Sequence, residues 1–179
     1  YVISGHKIKD PVNYGVISLS EIIQFSSNVG ISKIALALPN RAIYEVLRRS
    51  GFGELVDIGL PGETKGSLKP NDLEIPVQQA ALAYGYGLTV TPLQLANAYL
   101  KIAAHGENRR VSIFRSEFNV PPARIHGESL SKEVIKMMVT VTEIEGTGKA
   151  AAVEGYRVAG KTGTAQRFTD GRFDPDSHN

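Results

Sequence analysis

The sequence predicts a mixed α/β (α+β) chain, helical through its middle and strand-forming near its end. Three observations carry this. Apolar residues recur at helical spacing in several capped stretches between residues 18 and 150. A strand-like run, "YRVAGKTGTAQRF", is followed by Asp170-Gly171, a hairpin signal. With 179 residues, 42% of them hydrophobic and 21% charged, the chain suits one folded domain with a sizeable core rather than a disordered segment.

The elements follow in order. "YVISGHKIKD" reads as a short strand or an extended opening. "SLSEIIQF" opens a helix, with Ser18 or Ser20 as its cap and Ile22, Ile23 and Phe25 as its apolar side. "SSNVG" interrupts it, and "VGISKIALAL" resumes helical spacing until Pro39. Asn40 is expected to cap "RAIYEVLRRS", whose Ile43, Val46 and Leu47 share a face and whose end is marked by Gly51 and Gly53. Residues 53–80 read as loop, broken by Pro61, Gly62, Gly66, Pro70 and Pro76. "TPLQLANAYLKIAAHG" is the clearest helix: Thr91 caps it, Pro92 sits in its first turn, Gln94 completes a capping box and Gly106 ends it. "RRVSIFRSEF" reads as a strand. "SLSKEVIKMMVTVTEIE" reads as a helix capped by Ser129, with Val134, Ile135, Met138 and Val141 inward. A short helix is expected near Gly148. The partner of the final strand is expected beyond Asn179, because only "FDPDSHN" follows the turn.

Composition excludes several functions. A net charge of +2 is too small to argue for nucleic acid or an anionic membrane surface. Without cysteine there is no disulfide, thiolate nucleophile or cysteine zinc site. His6, His105, His126 and His178 are too scattered for a metal site. No run approaches the ~18 apolar residues of a membrane span.

Two motifs carry chemistry. In "KTGT", Lys161, Thr162, Gly163 and Thr164 put a positive charge, two hydroxyls and a side-chain-free position on one strand. That combination suits an edge receiving a carboxylate-bearing ligand. The alternative is a surface edge strand guarded by its lysine. In "FSSNVG", Ser26 and Asn28 stand at a break flanked by apolar helix, so the loop is expected to be pinned and partly buried. The alternative is a helix break with local capping bonds.

Together "SSN" and "KTGT" resemble the second and third motifs of the penicillin-recognising serine enzymes. "GHKIKD", "SSNVGISKIALAL", "LPGE", "AYGYGLTVTPLQLANAYLKIAAHG" and "GTGKAAAVEGYRVAGKTGTAQ" look like class B penicillin-binding proteins of the septal D,D-transpeptidase type from Gram-negative bacteria. The resemblance implies a penicillin-binding protein transpeptidase / serine β-lactamase-like fold. In that fold an antiparallel sheet is flanked by helices, and the active site lies between a helical lobe and one strand. Residues 18–150 would be mainly the lobe, and residues 155–173 the active-site strand and the start of a hairpin. The whole of 1–179 would be an internal fragment of one transpeptidase domain, incomplete at both ends.

The nucleophile of this family belongs to a Ser-x-x-Lys motif. Ser4-Gly-His-Lys7 and Ser129-Leu-Ser-Lys132 match literally. Neither has the context, since the nucleophile should open a buried helix with the lysine one turn on. The motif is therefore expected before residue 1, and the chain alone is expected to be inactive.

By resemblance the substrate is a peptidoglycan stem peptide ending in D-Ala-D-Ala, and β-lactam antibiotics acylate the same serine. Ser26 would relay a proton to the leaving nitrogen with help from Lys161, and Asn28 would hold a substrate amide. Thr162 and Thr164 would bind the terminal carboxylate, with Gly163 between them. Tyr86 would wall the cleft, or be an ordinary packed tyrosine. No metal or organic cofactor is implied. The implied partners are division proteins, including a lipid II polymerase. The implied location is the periplasmic face of the inner membrane, held by a single anchor outside this sequence. A serine β-lactamase or penicillin sensor, or a non-catalytic scaffold of the same fold, are the alternatives. A phosphate loop in "EGTGKAAA" fails, because Glu143 and Ala150 stand where the pattern needs glycine and Ser or Thr.

Overall fold

A tight hairpin begins the chain in the computed structural model, which describes residues 1–70, 74–114, 121–164, 166–169 and 172–178. Strands β1 (Val2–Ile3) and β2 (His6–Lys7) pair antiparallel across Ser4 and Gly5. Both turn residues take positive φ, 46° and 82°, as a two-residue hairpin turn requires. Ser4 is thus a turn residue and opens no helix.

Ser18 caps α1 (Leu19–Gln24) in a reciprocal box with Glu21, which settles the choice between Ser18 and Ser20. Accepting the Ser18 backbone and hydroxyl protons holds the Glu21 carboxyl below the usual carboxylate range. Helix α2 (Asn28–Ala37) is capped by Ser27 and stops before Pro39.

The expected Asn40 cap for α3 (Ala42–Ser50) is not found. Arg41 takes the cap position with φ 74° and no side-chain cap bond. The Ala42 amide instead donates to Pro39 O at 3.0 Å, and the Arg41 guanidinium lies 5.6 Å from the Tyr44 ring centre. A tight turn therefore satisfies the first amide without a capping side chain. Gly51 closes the helix at φ 101°, as expected. Val46, expected inward, is 52% exposed.

Residues 53–80 hold more structure than expected. Strand β3 (Ser67–Leu68) pairs with β4 (Leu88–Thr89), and helix α4 (Pro76–Ala83) intervenes. Pro76 starts this helix rather than breaking one, because the first turn needs no amide hydrogen. Helix α5 (Pro92–Ala103) has the predicted Thr91–Gln94 box, and Gly106 follows it at φ 91°.

The strand expected over 109–118 is absent from its described part, Arg109–Phe114. Ile113 and Phe114 are exposed, and Ser112 bonds locally to Phe114, so nothing buries a strand face there. The ladder falls next door, between β5 (Glu107–Asn108) and β6 (Ala123–Arg124). Residues 115–118 lie outside the described residues.

Helix α6 (Glu128–Thr140) has Gly127 at its cap position, so Ser129 belongs to its first turn and does not cap it. Met138 and Val141 are buried as expected, while Val134 and Ile135 are half-buried. A 3-10 turn covers Lys149–Ala151. The partner of the last strand lies within the chain, contrary to expectation: β7 (Gln166–Thr169) pairs with β8 (Arg172–His178). The register jumps between Gln166 and Arg167 from His178 to Asp174, so Pro175 falls where no ladder bond is needed. The predicted turn, Asp170-Gly171, lies outside the described residues.

Ile3, Ile8 and Ala80 form a buried cluster with Val29, Leu36, Val77 and Tyr84 packed on it. This joins the first hairpin to α2 and α4. Helices α1 and α5 both pack on α6. Among the described residues every strand pairing is antiparallel, and no helix is long and apolar enough to cross a membrane.

Candidate active site

The break between α1 and α2 is built by hydrogen bonds and one strained residue. The Phe25 and Ser27 amides bond to Glu21 O and Ile22 O, which ends α1 at that turn. Ser26 then takes φ 56°, a left-handed conformation that costs a non-glycine residue about 1 kcal/mol or more. Ser27 is 2% exposed. Its hydroxyl donates to Asp10 Oδ2 at 2.6 Å and accepts from the Gly30 amide at 2.8 Å. Asp10 Oδ1 also accepts the Val29 amide at 3.1 Å, so a carboxylate sits on the first turn of α2, where the helix dipole favours it. Gly30 is required by packing: a Cβ there would lie 2.7 Å from Ile22 Cγ1. The loop is thus pinned, as expected, but chiefly through Ser27 and Asp10, and Ser26 is left half-buried at its rim.

The second motif is placed differently. Residues 157–164 take no regular secondary structure, and none joins a ladder among the described residues. The predicted strand becomes a paired strand only at Gln166. The end of α6 holds the stretch instead. Thr142 Oγ1 donates to Val158 O at 2.7 Å, and the Gly160 amide donates to Met138 O at 3.1 Å. Ladder bonding would have required a neighbouring strand, which this part of the fold does not offer among the described residues.

These two segments meet. Lys161 Nζ donates to Ser26 Oγ at 2.6 Å across 135 residues of sequence, and to Thr162 O at 2.9 Å. Lys161 is exposed as a residue, yet its ammonium is partly desolvated, which pulls its pKa below the ordinary lysine range. No carboxylate pairs with it among the described residues. A cation donating to a strained serine hydroxyl can hold that oxygen in place and assist a proton passing through it.

The other predicted residues divide. Thr162 is half-buried beside Lys161, and its hydroxyl pairs with that of Thr147 at 2.8 Å. Gly163 is exposed, and no atom lies within 4 Å of where its Cβ would be, so protein packing does not demand the glycine. Thr164 and Asn28 are exposed, with no side-chain bond among the described residues. Tyr86 follows α4 and packs edge-on against Tyr84, ring centres 5.7 Å apart. Neither Ser-x-x-Lys match joins the site, Ser4 being in the first hairpin turn and Lys132 pairing with Glu128 at 2.7 Å. An open groove of about 670 Å³ adjoins the loop, lined by Asp10, Tyr14, Ser27 and Lys33, without Ser26 or Lys161. Among the described residues no three His, Asp or Glu side chains gather to hold a metal ion.

Two residues of this arrangement escaped the sequence reading. Asp10 lies in "GHKIKD", yet nothing local says that it reaches Ser27. Thr147 lies in "EGTGKAAA", between two glycines. That pair was the available signal: a Cβ on Gly146 would lie 2.1 Å from Val141 O, and one on Gly148 would lie 3.1 Å from Val141 Cγ1.

The penicillin binding protein transpeptidase domain profile matches residues 1–177. Peptidoglycan D,D-transpeptidase FtsI of Escherichia coli K12 is 42% identical over 174 residues, covering 97% of this chain and 30% of the relative. The probable peptidoglycan D,D-transpeptidase PenA of Neisseria meningitidis serogroup A is 38% identical, covering 99% of this chain and 31% of the relative. The chain therefore spans about a third of these curated relatives. The apo transpeptidase domain of Burkholderia pseudomallei penicillin-binding protein 3 superposes with a TM-score of 0.91 at 35% identity, over 99% of this chain and 54% of that one. With two of the family's motifs brought together in space and a match along nearly its whole length, this chain belongs to the penicillin-binding protein transpeptidase family, among the class B proteins.

Proposed function

We propose that this chain is the part of a septal peptidoglycan D,D-transpeptidase domain that carries the proton-relay serine and the carboxylate-binding strand. The observation that carries this reading is the 2.6 Å bond from Lys161 Nζ to Ser26 Oγ. It joins the two motifs that the sequence singled out separately. In this reading, residues 18–150 form the helical lobe, residues 155–173 hold the strand facing it, and both belong to one domain. The similarly named relatives from Escherichia coli and Neisseria support the reaction class.

The reaction is two acyl transfers. A serine outside residues 1–179 attacks the penultimate D-Ala carbonyl of a stem peptide, with the lysine of its Ser-x-x-Lys motif as base. The C–N bond breaks, and terminal D-Ala leaves after taking a proton by way of Ser26. An amine of a second stem peptide then attacks the acyl-enzyme, forms the cross-link and releases the serine. Lys161 steadies the Ser26 oxygen during proton passage. Asn28 holds a substrate amide, and Thr162 and Thr164 face the terminal carboxylate. The open space at Gly163 supports the backbone's close approach to that ligand. Tyr86 walls the cleft. β-Lactams carry a carboxylate and a strained amide of matching shape, so they acylate the same serine.

The full-length protein would be anchored in the inner membrane with this domain in the periplasm, working beside division proteins that include a lipid II polymerase. Fluorescent-penicillin labelling of the full-length protein, with the adduct mapped by peptide mass, tests the reading. Label on a serine preceding Tyr1 is expected. Label on Ser4 or Ser129 overturns the placement of the nucleophile. Rapid turnover of a chromogenic cephalosporin indicates a β-lactamase, and no label on folded protein leaves a non-catalytic scaffold.

A further inference from the structure

Thr147 stands where both halves of the candidate site are tied. Its amide donates to Gln24 O at 3.3 Å, and its hydroxyl donates to the same carbonyl at 3.1 Å. Gln24 is the last residue of α1, two before Ser26. The same hydroxyl pairs with Thr162 Oγ1 at 2.8 Å, and Thr162 directly follows Lys161. The glycines on either side let the chain pack closely around Thr147. Gly146 lies against the Val141 carbonyl, and Gly148 against Val141 and the Thr162 methyl. One exposed threonine thus spans the interval that the Ser26–Lys161 bond must close.

Proton counting gives this contact a second property. A hydroxyl has one proton to donate. While Thr147 donates to Gln24 O, the hydrogen of the Thr147–Thr162 bond must come from Thr162. Thr162 then has no proton free for a ligand carboxylate. Gln24 O, however, keeps the Thr147 amide as a donor, so it is not left unpaired when the Thr147 hydroxyl turns away. Thr147 can then donate to Thr162, and Thr162 can donate outward.

We propose that Thr147 is a positioning residue for carboxylate binding. It fixes the Lys161–Thr162 segment against the end of α1, and it reverses its hydrogen bond with Thr162 when a carboxylate-bearing ligand arrives. This rests on the acyl-transfer reading above, with Thr162 as a carboxylate ligand.

The test is a double-mutant cycle in the full-length protein, reading the second-order rate of acylation by a fluorescent penicillin. Thr147→Val keeps the shape and removes the hydroxyl; Thr147→Ala serves the same cycle should the valine variant not fold. Each is expected to slow acylation roughly tenfold, a loss at the upper end for one neutral hydrogen bond. Thr147→Ser is expected within about twofold of wild type. In a Thr162→Val background, loss of the Thr147 hydroxyl is expected to cost almost nothing more. Unchanged acylation in T147V overturns the role, as do losses that multiply in the double variant or an equal loss in T147S. An unlabelled wild-type protein overturns the acyl-transfer reading itself, and this role with it.

Discussion

The Ser26 loop and the Lys161 segment meet at the candidate site, but they are held by different physics. The loop is fixed over short separations, none of these bonds spanning more than 17 residues: α1 ends on its own carbonyls, Ser27 caps α2, and Asp10 closes the break. The Lys161 segment has almost no support of its own. It lacks ladder bonds among the described residues and hangs from Thr142, Met138 and Thr147, residues on or just beyond α6. The rigid partner carries the strained serine, and the borrowed partner carries the cation. Disturbing the first should therefore cost stability before function, and disturbing the second should cost function before stability.

The largest expected effect tests the junction itself. Lys161→Ala in the full-length protein should slow penicillin acylation by about a hundredfold or more, the range for loss of a group assisting proton transfer. Its melting temperature should stay close to wild type, because the side chain is exposed. A large drop in melting temperature with intact acylation would reverse the comparison. The same lysine sets a pH dependence. Desolvation lowers its folded pKa, so the ammonium is lost earlier as pH rises, and the alkaline fall in acylation should begin below the ordinary lysine range of about 10.4. In Lys161→Arg, whose side chain does not deprotonate, that limb should move to higher pH.

Next in size is the anchor of the loop. Asp10→Ala leaves the Ser27 hydroxyl, buried at 2% exposure, without its acceptor and the Val29 amide without its cap. About 2 kcal/mol of stability should be lost in denaturant unfolding of the full-length protein. Acylation measured well below the melting temperature should fall far less. An acylation loss as large as that of Lys161→Ala would show the loop to be as dependent on remote contacts as the strand.

The same division explains what the sequence made legible. Ser18, Ser27 and Thr91 cap helices through bonds spanning three residues, so a local pattern describes them, and the Thr91–Gln94 box was predictable outright. Helix α4 was hidden because Pro76 was read as a breaker when it begins a first turn. Arg41 replaced Asn40 at a cap because a backbone turn satisfied the amide first. In the site, residue types identified Ser26 and Lys161, but nothing in the chain gave their 2.6 Å approach. Asp10 and Thr147 were missed for the same reason: their partners lie 17 and 123 residues away.

The smallest expected effects divide the two regions most sharply, because they compare losses of similar size. Ser18→Ala removes the α1 capping box and should cost about 1 kcal/mol of stability. Thr142→Val removes the bond to Val158 O, also worth about 1 kcal/mol. The α1 cap is local, and Ser26 is still held by the bonds from Ser27 to Asp10 and Gly30, so Ser18→Ala should acylate within about twofold of wild type. Thr142 supplies one of the few bonds holding the segment that carries Lys161. Thr142→Val should therefore slow acylation several-fold for the same loss of stability. Equal acylation in the two variants would mean that the Lys161 segment has support beyond α6 and Thr147. A paired neighbouring strand from outside this chain is the support that would give that result, since ladder bonds would hold Lys161 in place whether or not Thr142 reached Val158.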